Sequence, residues 1–167
     1  CITALTISGL GTRRFCFEAF LPVDKKEKQW ILEELKTETR TIILYEAPHH
    51  LLRTLGELYE ALGDRRAAVC RELTKKYETA FRTTLGEAVR YYGANEPKGE
   101  CVIVIEGRSI RDLKAEGQED WKEMPLNQHM EHYLSQGRDK KEAMKLVAKD
   151  RGVSKREVYQ QLLEDGE

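Results

Sequence analysis

Apolar and polar positions along the chain alternate between two periods. "CITALTISGL" opens the sequence with a helix-like apolar pattern that begins in mid-run. "FCFEAF", Phe15–Phe20, has the aromatic content of a strand and is closed by Pro22. Asp24 with Glu27 three residues later predicts a capping box, and Trp30, Ile31, Leu32 and Leu35 supply that helix's apolar side. "TIILYE", Thr41–Glu46, is continuous rather than alternating, as expected of a strand covered on both faces. Pro48 starts the next helix, where its missing N–H costs nothing. Leu51, Leu52, Leu55, Leu58, Tyr59 and Leu62 recur at helical spacing before Gly63.

"RAAVCREL" is a second buried run, and "KYETAFR" reads as a strand with one polar face. "TTLGEAVRYYG" reads as a helix stopped by Gly93, and "GECVIVIEG", Gly99–Gly107, as the clearest central strand in the chain. Strands alternating with helices predict an α/β fold, a mixed sheet flanked by helices. The sheet is expected to be mixed because "KYETAFR" follows its neighbour too closely for a crossover. The charged stretch 109–124 reads as a linker. Beyond Pro125 the pattern is helical only, with capping boxes at Asp139/Glu142 and Ser154/Glu157 on either side of Gly152. A small all-helical tail, 125–167, with the spacing of a helix-turn-helix is therefore expected. There is no internal repeat and no low-complexity tract.

Composition narrows the function classes. The 167 residues carry 28 Lys+Arg against 29 Asp+Glu, a formal net charge of −1, which argues against nucleic-acid binding over the whole surface and leaves a local basic face open. No apolar run reaches membrane-spanning length, and no signal segment opens the chain. The four cysteines, Cys1, Cys16, Cys70 and Cys101, lie far apart without a CxxC pair. Three sit in apolar or strand-like runs, which suits reduced, buried thiols in a cytoplasmic protein. The absence of an initiator methionine, at a start inside a helical pattern, leads to the expectation of a piece of a longer protein.

Candidate chemistry is sparse. His49 and His50 are adjacent, whereas metal ligands on a helix want i,i+3 or i,i+4 spacing. His129 and His132 have that spacing, but no cysteine or carboxylate pattern completes a set, so no metal is expected. GxSxG, Walker and dinucleotide glycine patterns are missing. Tyr45-Glu46 and Arg71-Glu72 instead end two strands, and ligands of open α/β sheets collect outside the carboxyl ends of strands. The two carboxylates are open to three roles: a general acid–base pair, binders of ligand hydroxyls or amines, or partners of Arg71, Lys75 and Lys76.

"SGLGTRRFCFEAFLP", "TRTIILYEAPHHLLRTLGEL", "AAVCRELTKKYETAFRTTLGE" and "KGECVIVIEG" occur in this order. Together they resemble the carboxyl-terminal half of the ribosomal RNA small-subunit methyltransferase I family, which has the tetrapyrrole-methylase fold. "YEAPH" with "RELTKKYE" is the specific part of the match. Gly11, Arg13 and His50 depart from the usual pattern, where proline, an acidic residue and arginine are common; the last puts any role for position 50 in doubt.

The resemblance implies an S-adenosylmethionine-dependent 2′-O-methyltransferase acting on a cytidine ribose of small-subunit (16S) rRNA, a cytoplasmic homodimer needing no metal and no membrane. Residues 1–12 would be the last helix of an amino-terminal domain, and 13–108 the cofactor-binding carboxyl-terminal domain. Half of the cofactor site would lie outside this chain, leaving the chain inactive alone. By the same resemblance Tyr45, Glu46 and Ala47 line the cofactor pocket, Glu72 and Leu73 form the matching wall, and Lys98 and Gly99 close the adenosine side. The histidine pair is then helix-start scaffolding. No general base is assigned. Lys140, Lys141, Lys145, Lys149, Lys155 and Arg156 in the tail are the expected rRNA phosphate contacts. Two rivals stay open, a methylase of a tetrapyrrole or other small molecule, and a non-catalytic RNA-binding or assembly module.

Overall fold

A computed structural model describes residues 1–164, which fall into two compact units, 1–109 and the residues from 110 onward. The first unit holds α1 (Ile2–Ser8), β1 (Phe15–Ala19), α2 (Lys25–Lys36), β2 (Thr41–Glu46), α3 (Pro48–Leu62), β3 (Arg66–Arg71), β4 (Thr79–Thr84), α4 (Leu85–Ala94) and β5 (Cys101–Ile105). The strands form one sheet in the order β1-β2-β5-β3-β4. β1 and β2 are parallel, whereas β5 is antiparallel to both its neighbours, and β4 is antiparallel to β3. The expected mixed α/β sheet is what forms, with "CVIVI" at its centre.

The unbroken apolar runs of β2, β3 and β5 follow from a sheet with two buried faces. Ile42, Leu44, Ala67, Val69, Ile103 and Ile105 join one core with Leu51, Leu55 and Leu58 of α3 and Leu85 of α4. The residues between them, Ile43, Ala68, Cys70 and Val104, point the other way and meet Ala4 and Leu5 of α1. Thus α1 belongs to the first unit. β2, β3 and β5 stay in register over their whole length, and the last row reads Glu46, Cys101, Arg71 across three strands. The carboxyl ends of β2 and β3 and the start of β5 therefore share one edge of the sheet.

Local chemistry sets the boundaries. The Asp24 carboxylate accepts from the backbone N–H groups of Lys26 and Glu27, capping α2. α2 buries only Leu32 and Leu35, while Trp30 is 61% exposed, so its apolar side is narrower than expected. β4 starts at Thr79 rather than Lys76. Turns through 72–78 consume those residues: Lys75 N–H donates to the Glu72 carbonyl, Glu78 N–H to the Lys75 carbonyl, and Thr74 N–H to the Glu78 carboxylate. α4 runs through Gly93 to Ala94, and the Asn95 amide folds back onto the Tyr91 carbonyl. A glycine without a left-handed φ weakens a helix but need not end it.

The second unit corrects the expected linker 109–124. Ile110–Glu123 is a helix, α5. Its charged Arg, Lys, Asp and Glu residues are tolerated in helices and its Leu and Ala favour them, so high charge was the wrong cue for a linker. α6 (Leu126–Leu134), α7 (Lys140–Arg151) and α8 (Lys155–Glu164) follow. Leu126, Met130, Ala143, Val147 and Val158 form their core. Both expected caps are present. Asp139 accepts from Glu142 N–H, and Ser154 and Glu157 cap each other reciprocally, with Gly152 left-handed between the helices. Residues 165–167 of the expected tail lie outside the described residues.

Candidate functional site

The shared edge of the sheet opens onto a cleft of about 570 Å³. Of the residues expected there, Tyr45, Glu46, Ala47 and Leu73 line it, joined by Phe20, Thr74, Glu100 and Cys101. Glu72, Lys98 and Gly99 stand behind this wall and hold it. The Glu72 carboxylate accepts from Glu100 N–H at 2.9 Å and from the Lys75 ammonium at 3.4 Å. The Arg71 guanidinium donates twice to the Lys98 carbonyl, at 3.0 and 2.7 Å. Gly99 has φ +78°, and a Cβ there would overlap the Glu72 carboxylate. Only glycine fits this turn.

Backbone strain is concentrated on the same wall. Glu72 (φ 49°) and Thr74 (φ 64°) both occupy the left-handed region that non-glycine residues rarely adopt. The hydrogen bond from Glu100 N–H, followed by the charges of Lys75 and Arg71, holds the Glu72 carboxyl below the usual carboxylate range against the opposing effect of burial.

Glu46 is 9% exposed and is committed to the start of α3. One oxygen accepts from Ala47 N–H at 2.8 Å, the other from the Thr54 hydroxyl at 2.5 Å. His50 Nδ1 lies 3.9 Å away, and the His49 and His50 rings are mutual neighbours at 4.1 Å. Of the expected partners Arg71, Lys75 and Lys76, Glu72 has Lys75 within reach besides Glu100 N–H, whereas Glu46 is held by Ala47 N–H and Thr54. On the opposite face of β2 the Tyr45 ring meets Phe17 edge-on at 4.9 Å and Phe20 at 5.8 Å, giving the cleft an aromatic corner.

Burial pushes the Cys101 thiol at the cleft floor up to about 11, so it presents no thiolate. Among the described residues no group of three or more His, Cys, Asp or Glu side chains converges to hold a metal ion, and no helix is long and apolar enough to cross a membrane. His129 is instead fully buried in the second unit. It is stacked on Trp121 at 4.1 Å, accepts from Arg151 Nε at Nδ1 and lies 3.3 Å from Asp150 through Nε2. The tail cations Lys140, Lys141, Lys145, Lys149, Lys155 and Arg156 are all exposed.

Sequence reasoning missed Phe20, Thr54 and Glu100. Glu100 had a signal, since it follows a glycine just before a central strand. Thr54 had none, because its pairing with Glu46 exists only once α3 folds back from the end of β2.

Comparison with known proteins adds the following. The family model described as Tetrapyrrole (Corrin/Porphyrin) Methylases matches residues 3–89. A ribosomal RNA small subunit methyltransferase I of Bacillus subtilis is 46% identical over 158 residues, covering 95% of this chain and 54% of the relative. A protein of the same description from Synechocystis is 40% identical over 164 residues, covering 98% of this chain and 57% of the relative. The chain spans about half the length of the curated relatives it matches. A solved cobalt precorrin-4 methyltransferase of cobalamin biosynthesis is 19% identical, with a TM-score of 0.49 over 63% of this chain and 47% of that one.

Proposed function

The chain belongs to the tetrapyrrole (corrin/porphyrin) methylase family, and from that premise we propose that it forms one wall of the S-adenosylmethionine site of an enzyme that methylates small-subunit rRNA. The observation that carries the reading is the cleft at the shared strand edge. Tyr45, Glu46, Ala47 and Leu73 converge there on a space large enough for a nucleoside-sized ligand.

The residues present fit such a cofactor. The electron-rich face of Tyr45 suits a sulfonium cation, and the Gly99 turn leaves Glu100 at the rim to meet an amine or ribose hydroxyl. A bound sulfonium donor supplies an already activated methyl group. The protein is left with positioning: keeping the acceptor oxygen in line with that methyl and excluding water. The Glu46–Thr54 and Glu72–Glu100 bonds serve this role by fixing the two walls. In this reading the acceptor is the 2′-hydroxyl of a cytidine ribose, whose proton leaves to a base as the methyl arrives. Glu46 and Glu72 serve as supports, and neither is assigned as that base. The enzyme is a cytoplasmic homodimer, and this chain alone, with one wall of the site, is inactive.

The exposed cations Lys140, Lys141, Lys145, Lys149, Lys155 and Arg156 are read as phosphate contacts to the rRNA. Lys141, Lys145 and Lys149 recur every four residues along α7 and form one stripe.

Calorimetric titration of the full-length protein with S-adenosylmethionine tests the site. Ala47→Phe, which fills the cleft, is expected to weaken binding at least tenfold. Unchanged affinity in a folded Ala47→Phe variant would place the cofactor elsewhere.

A further inference from the structure

A second hollow, of about 310 Å³, adjoins the cleft and shares Phe20, Glu46 and Ala47 with it. Its character differs. Phe20 is 60% exposed and Val23 97% exposed, which leaves an aromatic ring and an apolar shelf open to solvent at its mouth. Lys28 and Arg53 line the other side. Both reach the Glu57 carboxylate, Lys28 at 2.9 and 2.7 Å and Arg53 through Nε at 3.0 Å. The buried Glu46 carboxylate in the same lining is bonded to Ala47 N–H and Thr54, so the charges balance and Lys28, its side chain 15% exposed, is held in place. The Arg53 side chain nonetheless remains 66% exposed.

This combination matches one chemical class. A nucleotide drawn out of a single-stranded RNA presents a flat base, which stacks on aromatic rings, and a phosphate, which pairs with arginine and lysine. Methyl transfer requires the acceptor to touch the cofactor's methyl, so the acceptor's seat must share a boundary with the cofactor's. The hollow shares three residues with the cleft, Phe20 among them. We propose that this hollow seats the acceptor nucleotide of the RNA substrate, with Phe20 as the platform for its base and Arg53 with Lys28 as the contacts for its phosphate. The assignment rests on the RNA-methylating reading above and adds to it a place for the substrate that the cofactor residues do not provide. It also accounts for a phenylalanine that is 60% exposed at the boundary of two cavities.

The test uses the full-length protein with small ribosomal subunits at saturating cofactor. Arg53→Ala is expected to raise KM for the RNA about five- to tenfold, with kcat and cofactor affinity by calorimetry within twofold of wild type. Its RNA-binding slope against log salt should be shallower by about 0.7, the share of one phosphate on a single strand. Phe20→Ala should lower kcat/KM for RNA about tenfold, and Phe20→Trp should restore it, since any aromatic face supports stacking. Thermal unfolding verifies that each variant is folded. Folded Arg53→Ala and Phe20→Ala proteins with wild-type RNA kinetics would overturn the assignment and leave the methyltransferase reading intact. A Phe20→Ala protein that loses only cofactor affinity would likewise overturn it, giving the ring to the cofactor. Wild-type protein that transfers no methyl to rRNA would overturn the reading itself, and the seat with it.

Discussion

Replacing Thr54 with valine probes the joint between β2 and α3. The two side chains are isosteric, so the perturbation is the loss of one hydroxyl. That hydroxyl donates to Glu46 at 2.5 Å, with Thr54 at 6% and Glu46 at 9% exposure. A hydrogen bond to a charged group contributes about 1.5–3 kcal/mol, and a methyl buried in place of the hydroxyl returns about 0.8 kcal/mol. The net loss is about 1–2 kcal/mol, a fall of about 3–6 °C in calorimetric Tm for a domain of this size. In a Glu46→Gln background the acceptor is neutral and its bond contributes only about 1 kcal/mol, so Thr54→Val becomes nearly silent. The double-mutant cycle isolates the difference. Because Glu46 and Ala47 line the cleft, Thr54→Val should also weaken S-adenosylmethionine binding severalfold, while Thr54→Ser retains it. Equal losses in both backgrounds, or no loss on wild type, would refute the claim that this bond fixes the cleft wall.

Gly99→Ala forces a left-handed φ on a side chain that would overlap the Glu72 carboxylate. Cofactor affinity should fall at least tenfold by calorimetry, and adding Glu72→Ala should recover part of it by removing the overlap. His129 carries a pH dependence. Burial first, and then the Arg151 charge, lower its pKa against the opposing effect of Asp150, and a proton on Nδ1 would displace the Arg151 donor. A folded value below the unfolded one, about 6.5, means that its contribution is full above that pH and is lost as pH falls. Urea midpoints of the helical unit should therefore drop on acidification below about 6.5, and His129→Gln should flatten that dependence. Burial raises the Cys16, Cys70 and Cys101 thiols to about 11, so Ellman's reagent at pH 8 should label none of them in the native protein and all three after unfolding.

Legibility in the sequence followed the physics of each element. β2 and β5 were readable because a strand buried on both faces leaves an unbroken apolar run, and α3 because Pro48 and the leucine spacing act locally. The joint of α7 and α8 was readable because caps are exchanged within three residues. Trp30 misled because hydropathy does not say how wide a stripe a helix buries; α2 needed only Leu32 and Leu35. The 110–123 helix was obscured by its charge, and the stacking of its Trp121 on His129 is a contact no local pattern announces. The strand ends marked the position of the cleft through Tyr45-Glu46 and Arg71-Glu72. The way Glu72, Gly99 and Glu100 lock together required the antiparallel insertion of β5 between β2 and β3, which places residue 100 beside residue 72.

The most direct test of the central claim is methyl transfer by the full-length protein. It would be incubated with labelled S-adenosylmethionine and small ribosomal subunits from cells lacking its gene, and any 2′-O-methyl group mapped. The account predicts label on a single cytidine ribose of the small-subunit rRNA. Absence of label in that RNA, from protein that binds the cofactor, would contradict it and put a small-molecule methylase in its place.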